Sequence, residues 1–172
     1  MRRSPRALGA EHVTIAWSGK TIDGMAQLYD RTLPARADSR WDFSRWVPEV
    51  VVVNLGTNDF FQRDLRQQVF VTAYVSLLAR IRSHYPQALI VCALGPMLSD
   101  SYPAGSQNLS RARRYMRASV EAAHGKGDAR VSMIEFQVQD PSNAGCGYHP
   151  NVRTHRQMAQ QLTAEIKTEL GW

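Results

Sequence analysis

The sequence contains little cysteine, little lysine and no long apolar run. Its 172 residues include two cysteines, Cys92 and Cys146, whose spacing does not match a metal-binding pair. No stretch approaches the roughly 18 consecutive apolar residues that a membrane-spanning helix requires, so we expect no membrane partner. Residues 1–6 are basic, but the segment after them is too short and too polar for a signal-peptide core.

The net charge of +6 comes mainly from arginine, since 18 arginines accompany three lysines. The best support for nucleic-acid binding is a cluster on one predicted helix, formed by Arg111, Arg113, Arg114 and Arg117. The other basic residues are spread along the chain, and arginines at helical spacing are typical of a solvent-exposed face. We therefore expect no nucleic-acid partner.

Alternating segments predict the fold. The length and the 44% apolar content are typical of one domain, which we assign to residues 1–172. Short apolar runs, typical of buried parallel strands, cover residues 13–17, 50–55, 89–94 and 131–136. Amphipathic segments predict helices at residues 64–84, 108–124 and 151–170, with a shorter one at 25–29. This alternation predicts an open α/β sandwich.

The segment 21–48 interrupts the alternation and contains Trp41 and Trp46. Two tryptophans in a long connection favour an ordered surface loop. They either line a sugar-binding lip or pack the loop onto the sheet.

Small and polar residues follow each predicted strand. Ser18 and Gly19 follow the first strand, residues 56–59 the second and residues 95–97 the third, and a loop with His149 follows the fourth. Because the carboxyl ends of parallel strands meet at one edge of a sheet, we expect these residues to lie together. A backbone amide, a side-chain amide and an imidazole are the groups that ester hydrolysis needs around an oxyanion.

Several segments resemble carbohydrate esterase family 2, a branch of the SGNH hydrolases. The most specific are Gly56-Thr57-Asn58-Asp59 and His149-Pro150, supported by segments 17–20, 28–34, 41–48, 83–86 and 92–98. The resemblance covers about residue 8 to residue 172. It implies an α/β fold, the SGNH (flavodoxin-like) three-layer sandwich with a parallel sheet.

The resemblance also implies a function. A family member of this kind is a carboxylic ester hydrolase that removes acetyl groups from a polysaccharide or oligosaccharide through an acyl-enzyme. We expect no metal and no cofactor. The resemblance implies an extracellular or periplasmic location, although this chain shows no signal peptide.

Three residues match catalytic positions of the family. Gly19 matches the glycine whose backbone amide helps to form the oxyanion hole, and Asn58 matches the asparagine whose side-chain amide completes it. His149 matches the general base that activates the serine and then protonates the leaving alcohol.

Three further residues are expected to contact substrate, each with a structural alternative. Trp46 belongs to the sugar-binding lip or packs its loop. Tyr148 stacks on a sugar ring or forms a wall of the pocket. Asp59 binds substrate or braces the loop around Asn58.

The sequence departs from the family pattern beside His149. The aspartate usually found three residues earlier is Cys146, and Gly147 occupies the nearby position that is often aspartate. His149 therefore needs a backbone carbonyl or a remote carboxylate such as Asp140 to orient it, which gives a dyad in place of a triad.

The second departure concerns the nucleophile. The Gly-Asp-Ser segment of SGNH enzymes and the first strand that precedes it are missing, and Ser18 lacks the strand-turn-helix elbow of a nucleophile. We expect the serine to lie outside this chain, which would be a fragment of a longer esterase. The missing central strand would leave buried backbone groups unpaired, each costing about 1–3 kcal/mol, so we expect marginal stability.

Two questions stay open at this point. The chain is an esterase, a non-catalytic carbohydrate-binding remnant, or a lipase or thioesterase-like SGNH enzyme with an acyl-chain pocket. Cys92 and Cys146 form a disulfide or are free thiols.

Overall fold

The computed structural model of the chain describes residues 3–61 and 65–172, with the backbone alone for residues 3 and 4. In this part of the chain there are three strands, β1 (Val50–Val53), β2 (Leu89–Leu94) and β3 (Val131–Glu135). The α-helices are α1 (Arg3–Leu8), α2 (Ile22–Ala26), α3 (Gln67–His84), α4 (Asn108–His124) and α5 (Val152–Leu170). Short 3-10 helices cover Asp59–Phe61, Pro141–Asn143 and Cys146–Tyr148.

The strands form a parallel sheet in the order β1-β2-β3. Val51 pairs with Ile90 in one ladder, and Cys92 pairs with Met133 in the other. Strand β2 is buried along its whole length, as its uninterrupted apolar sequence predicts, whereas β1 is half-buried except at Val53.

Helices cover both faces of the sheet. One core packs alternate β2 residues against α3 and α4, and the other packs the remaining β2 residues against α5. The first set is Ile90, Cys92 and Leu94, and the second is Leu89, Val91 and Ala93. This alternation follows from the two-residue period of a strand. The predicted three-layer sandwich with a parallel sheet is therefore confirmed.

Capping residues set the ends of the later helices. Helix α4 has the predicted bounds and ends before Gly125. Asn151 caps α5, because its Oδ1 accepts a hydrogen bond from the Thr154 N–H at 2.9 Å. The predicted start of α3, Asp64, lies outside the described residues. The short helix predicted at 25–29 begins earlier, at Ile22, where Thr21 is the N-cap.

The predicted strand at residues 13–17 is wrong. Its backbone makes no hydrogen bond with any described residue, and Val13, Ile15 and Trp17 are about half exposed. An apolar alternation becomes a strand only where a neighbour supplies ladder partners, and no described strand pairs with this segment. Among the described helices, none is long and apolar enough to cross a membrane.

Candidate active site

The loops after the three strands meet at the carboxyl edge of the sheet. Gly95, which follows β2, lies against the loop after β1. A Cβ atom at Gly95 would lie 3.2 Å from Asn54 Oδ1 and 3.3 Å from Thr57 Oγ1. The loop after β3 joins them, because the Gln139 N–H donates to the Pro96 carbonyl at 3.0 Å. The loops that follow the three strands therefore lie together at this edge, as the sequence predicts.

Asn58 and Asp59 hold the segment that follows Gly19. The Asn58 Nδ2 donates to the Lys20 carbonyl at 3.0 Å. The Asp59 carboxylate accepts the Ile22 N–H, with its two oxygens at 3.1 and 3.2 Å. These contacts bring two predicted oxyanion-hole residues, Gly19 and Asn58, onto adjoining segments.

Asp59 is the one acidic residue among the buried side chains of the described residues, with 6% of its surface exposed. Burial raises the pKa of its carboxyl to about 6, and the hydrogen bond from the Ile22 N–H partly offsets this rise. The contact with Ile22 agrees with the bracing alternative for Asp59. A contact between Asp59 and substrate stays a prediction.

Gly19 presents a free backbone amide. Its φ of +75° is in the left-handed region that glycine adopts without strain. Its N–H makes no hydrogen bond to the described part of the chain. This amide is available to a ligand oxygen, as the oxyanion-hole prediction requires.

Backbone carbonyls orient the His149 ring. The Nδ1 atom lies 3.0 Å from the Gly147 carbonyl oxygen and 3.3 Å from that of Cys146. Since a carbonyl only accepts, Nδ1 carries the proton in the neutral ring and Nε2 keeps its lone pair. The carboxylate of Asp140 instead accepts the Ser142 N–H and hydroxyl at 2.9 and 2.7 Å, which lowers its pKa. Of the two alternatives for orienting His149, the structure has the backbone carbonyl.

Two of the predicted substrate-binding residues, Trp46 and Tyr148, are not fixed by contacts with the other predicted site residues in the described ranges. Tyr148 adjoins His149 and exposes 71% of its surface. Trp46 precedes β1. Phe43, three residues earlier, stacks on His84 at the end of α3, with ring centroids 3.6 Å apart. No ring contact joins Trp46 to the described site residues. Sugar binding by Trp46 and Tyr148 stays a prediction.

Both cysteines are free. Cys92 is buried in β2, and burial raises the pKa of its thiol to about 12, while Cys146 is exposed beside His149. In the ranges 3–61 and 65–172, no three side chains of His, Cys, Asp or Glu are grouped as a metal site.

Two features of the site were not found from the sequence. One is the side chain of Gln139, whose Nε2 donates to the Tyr148 carbonyl. The other is the backbone at Tyr148, which has a left-handed φ of +61°. A single glutamine after a strand belongs to no recognised motif. A tyrosine is not a residue type that predicts a left-handed backbone conformation.

The three-layer sandwich with a parallel sheet matches the fold of family 2 carbohydrate esterase structures. The GDSL-like Lipase/Acylhydrolase family matches residues 1–157, and the chain belongs to this family.

The similar curated proteins and solved structures include carbohydrate esterases. The chain is 41% identical to the cellulase/esterase CelE of Acetivibrio thermocellus over 97% of its length, and covers 21% of that protein. It is 25% identical over 95% of its length to an acetylxylan esterase / glucomannan deacetylase of Cellvibrio japonicus, of which it covers 43%.

A family two carbohydrate esterase from Clostridium thermocellum, solved in complex with cellohexaose, superimposes with a TM-score of 0.90. The two are 41% identical, and the match covers 99% of this chain and 53% of that one. The resemblance to carbohydrate esterase family 2 is confirmed. The chain spans about half of that structure and a fifth of CelE.

Proposed function

We propose that the chain contributes the general base and the oxyanion hole of an esterase that removes acetyl groups from polysaccharide hydroxyls. The observation that carries the proposal is the orientation of the His149 ring. Its Nδ1 is directed to the Gly147 carbonyl, which leaves the lone pair on Nε2, and Asn58 holds the segment that follows Gly19. Family membership and the carbohydrate esterases among its relatives support the same chemistry.

In the proposed reaction, a serine oxygen attacks the acetyl carbonyl carbon while His149 Nε2 removes the hydroxyl proton. The carbonyl π electrons move to its oxygen, which accepts hydrogen bonds from the Gly19 N–H and one Asn58 Nδ2–H. The other Asn58 proton is already donated to Lys20. Collapse of the intermediate breaks the bond to the sugar oxygen, which takes its proton from His149. Water then attacks the acetyl carbon while the same ring removes its proton. The bond to the serine oxygen breaks, the serine takes that proton from His149, and acetate leaves.

The serine is proposed to lie outside the described side chains. Among the described residues, no serine hydroxyl forms a hydrogen bond with His149. Ser18 is exposed in the turn before Gly19, outside any strand-to-helix elbow. Ser18 therefore has none of the contacts of an activated nucleophile.

An acetylated polysaccharide or oligosaccharide is the proposed substrate. Such a chain is too large and polar to enter a closed apolar pocket, and the exposed Tyr148 beside His149 suits an open sugar-binding edge. Because polysaccharides do not cross cell membranes, we also propose that the protein works outside the cytoplasm.

The test compares two proteins on p-nitrophenyl acetate and acetylated xylan. One is the 172-residue chain, and the other is the product of its reading frame extended upstream to an in-frame Gly-Asp-Ser segment. Each is assayed beside its His149→Ala variant, with circular dichroism as a folding control. We expect the extended protein to release acetate, and the His149→Ala change to lower the rate about 100- to 10,000-fold.

Other outcomes would contradict the proposal. Hydrolysis by the 172-residue chain that depends on His149 would place the nucleophile within these residues, with Ser18 the first to test. A preference for long acyl chains over acetyl would indicate the lipase or thioesterase-like alternative. A folded protein that binds acetylated xylan and does not hydrolyse it in either form would be the carbohydrate-binding remnant.

A further inference from the structure

The loop that carries His149 is exposed and largely bonded to itself. Cys146, Tyr148 and His149 all face solvent. The Gly145 N–H donates to the His149 carbonyl at 2.7 Å, and the His149 N–H donates to the Cys146 carbonyl at 3.2 Å. These bonds shape the loop, but they do not attach it to the sheet.

Gln139 supplies the attachment. Its side-chain Nε2 donates to the Tyr148 carbonyl, and within the described ranges no other hydrogen bond reaches residues 145–149 from outside the loop. The backbone N–H of Gln139 donates to Pro96 in the loop after β2. Gln139 therefore connects the residue before His149 to the end of the central strand.

The backbone beside His149 needs such a contact. Gly147 and Tyr148 have φ angles of +58° and +61°. The left-handed region costs a residue with a side chain about 1–2 kcal/mol, so surrounding contacts must hold it there. The peptide between Tyr148 and His149 is held on both sides. Its carbonyl binds Gln139, and its N–H binds Cys146.

The burial of Gln139 argues against a space-filling role. The residue exposes 9% of its surface, and its Oε1 has no partner among the described residues. A buried amide oxygen without a partner is unfavourable, and an apolar side chain of similar size would avoid this cost. The N–H donated to Tyr148 is the contact that an apolar side chain cannot replace.

We propose that Gln139 is a positioning residue that fixes the His149 ring by holding the peptide before it. The consequence for catalysis rests on the proposed role of His149 as general base. Without the Gln139 contact, Tyr148 leaves the left-handed region and the peptide rotates. The ring then loses its bond to the Gly147 carbonyl, and Nε2 leaves its native position.

The first arm of the test measures backbone order by 15N relaxation in the full chain. We compare Gln139→Leu with Gln137→Leu, a matched control two residues earlier whose side chain is exposed. In the wild type and the control we expect backbone order parameters (S²) of about 0.85 at residues 145–149. In Gln139→Leu we expect values below about 0.6 there, with β2 unchanged. Rigid residues 145–149 in Gln139→Leu would overturn the proposal, as would a loss of order that extends through β2.

The second arm uses Gln139→Glu, which tests the donated hydrogen even if the leucine variant does not fold. A protonated carboxyl donates to the Tyr148 carbonyl, whereas a carboxylate repels it. We expect an ordered loop at about pH 4–5 and a mobile one at about pH 8–9, while the wild type stays ordered at both. Equal order of the variant at the two pH values would overturn the proposal.

These measurements do not depend on hydrolysis. If Gln139→Leu loosens the loop and the extended protein never releases acetate, the proposed function is refuted and the role of Gln139 stays intact. If the extended protein releases acetate at an unchanged rate with Gln139→Leu, the positioning role alone is overturned.

Discussion

The two halves of the candidate site are held in different ways. The loop after β1 is fixed by a buried carboxylate, since Asp59 is 6% exposed and binds the Ile22 backbone. The loop with His149 is exposed. It is held by backbone bonds, by the amide of Gln139, and at its start by the Asn151 amide, which donates to the Asn143 carbonyl. A substitution in the first half should therefore change stability and oxyanion geometry together. In the second half it should move the general base at little cost in stability.

The largest effect is expected from Asn58→Ala in the first half. In a form of the protein that hydrolyses acetyl esters, losing the side-chain amide should lower kcat about 100- to 1,000-fold, because one oxyanion donor is removed. The measurement is the rate of acetate release at saturating substrate. Asn54→Ala, in the same loop, is the control. An unchanged kcat in Asn58→Ala would remove Asn58 from the oxyanion hole.

A large pH effect is expected from Asp59→Asn. The pKa of the carboxyl rises from 3.8 to about 6, which favours the folded state while the group is protonated. That contribution is present below about pH 4 and is lost as the pH rises through about 6, and it amounts to up to about 3 kcal/mol. The amide introduced by the substitution would keep an acceptor for the Ile22 N–H without a charge. As the pH rises from about 4 to about 6, the unfolding free energy of the wild type should therefore fall relative to that of the variant.

Urea unfolding at a series of pH values measures this difference. Asp42→Asn is the control of opposite sign, because hydrogen bonds from Ser44 lower the pKa of Asp42. Its carboxylate contributes stability that is lost as the pH falls through its folded pKa. A difference between wild type and Asp59→Asn that does not vary with pH would show that Asp59 is not buried as described.

These contrasts also show what the sequence can reveal. Strand β2 and helix α4 have their predicted bounds, since an apolar run and a helix-ending Gly125 are local signals. The roles proposed for Asn58 and His149 also follow from short motifs. The same motifs carry the resemblance to carbohydrate esterase family 2.

The features that were predicted wrongly or missed from the sequence depend on contacts between distant segments. Residues 13–17 have the composition of a strand, but strand formation depends on a partner that no local window shows. The contact of Asp59 with Ile22 joins residues 37 positions apart. The bond from Gln139 to Tyr148 depends on a left-handed backbone that the side chains do not indicate.

A moderate effect is expected from Gly145→Ala in the second half. The added Cβ would lie 3.1 Å from the His149 carbonyl oxygen, which would have to move and weaken the bond from the Gly145 N–H. We expect a loss of about 1 kcal/mol in unfolding free energy and a clear shift of the His149 ring resonances. Gly125→Ala is the control, because its Cβ would meet ordinary contacts at 3.4 Å. Unchanged His149 resonances in Gly145→Ala would mean that the loop tolerates the added atom.

The smallest effect on stability is expected from Tyr148→Asn. Asparagine tolerates the left-handed region better than tyrosine, and the side chain is 71% exposed, so stability should change by less than about 1 kcal/mol. Loss of stacking on a sugar ring should weaken binding of an acetylated xylo-oligosaccharide about 2- to 10-fold. Titration calorimetry measures the affinity. Tyr102→Asn, 73% exposed elsewhere, should leave it unchanged, and equal affinities in the two variants would exclude stacking by Tyr148.

The central claim is that backbone carbonyls, with no carboxylate from the described residues, hold the His149 ring so that Nε2 keeps its lone pair. The most direct measurement is a long-range 1H–15N correlation spectrum of the neutral imidazole, assigned with His149→Ala. The account predicts a proton on Nδ1 and none on Nε2, as the 3.0 Å contact with Gly147 requires. A proton on Nε2 would contradict it, because the nitrogen needed as the base would already be occupied.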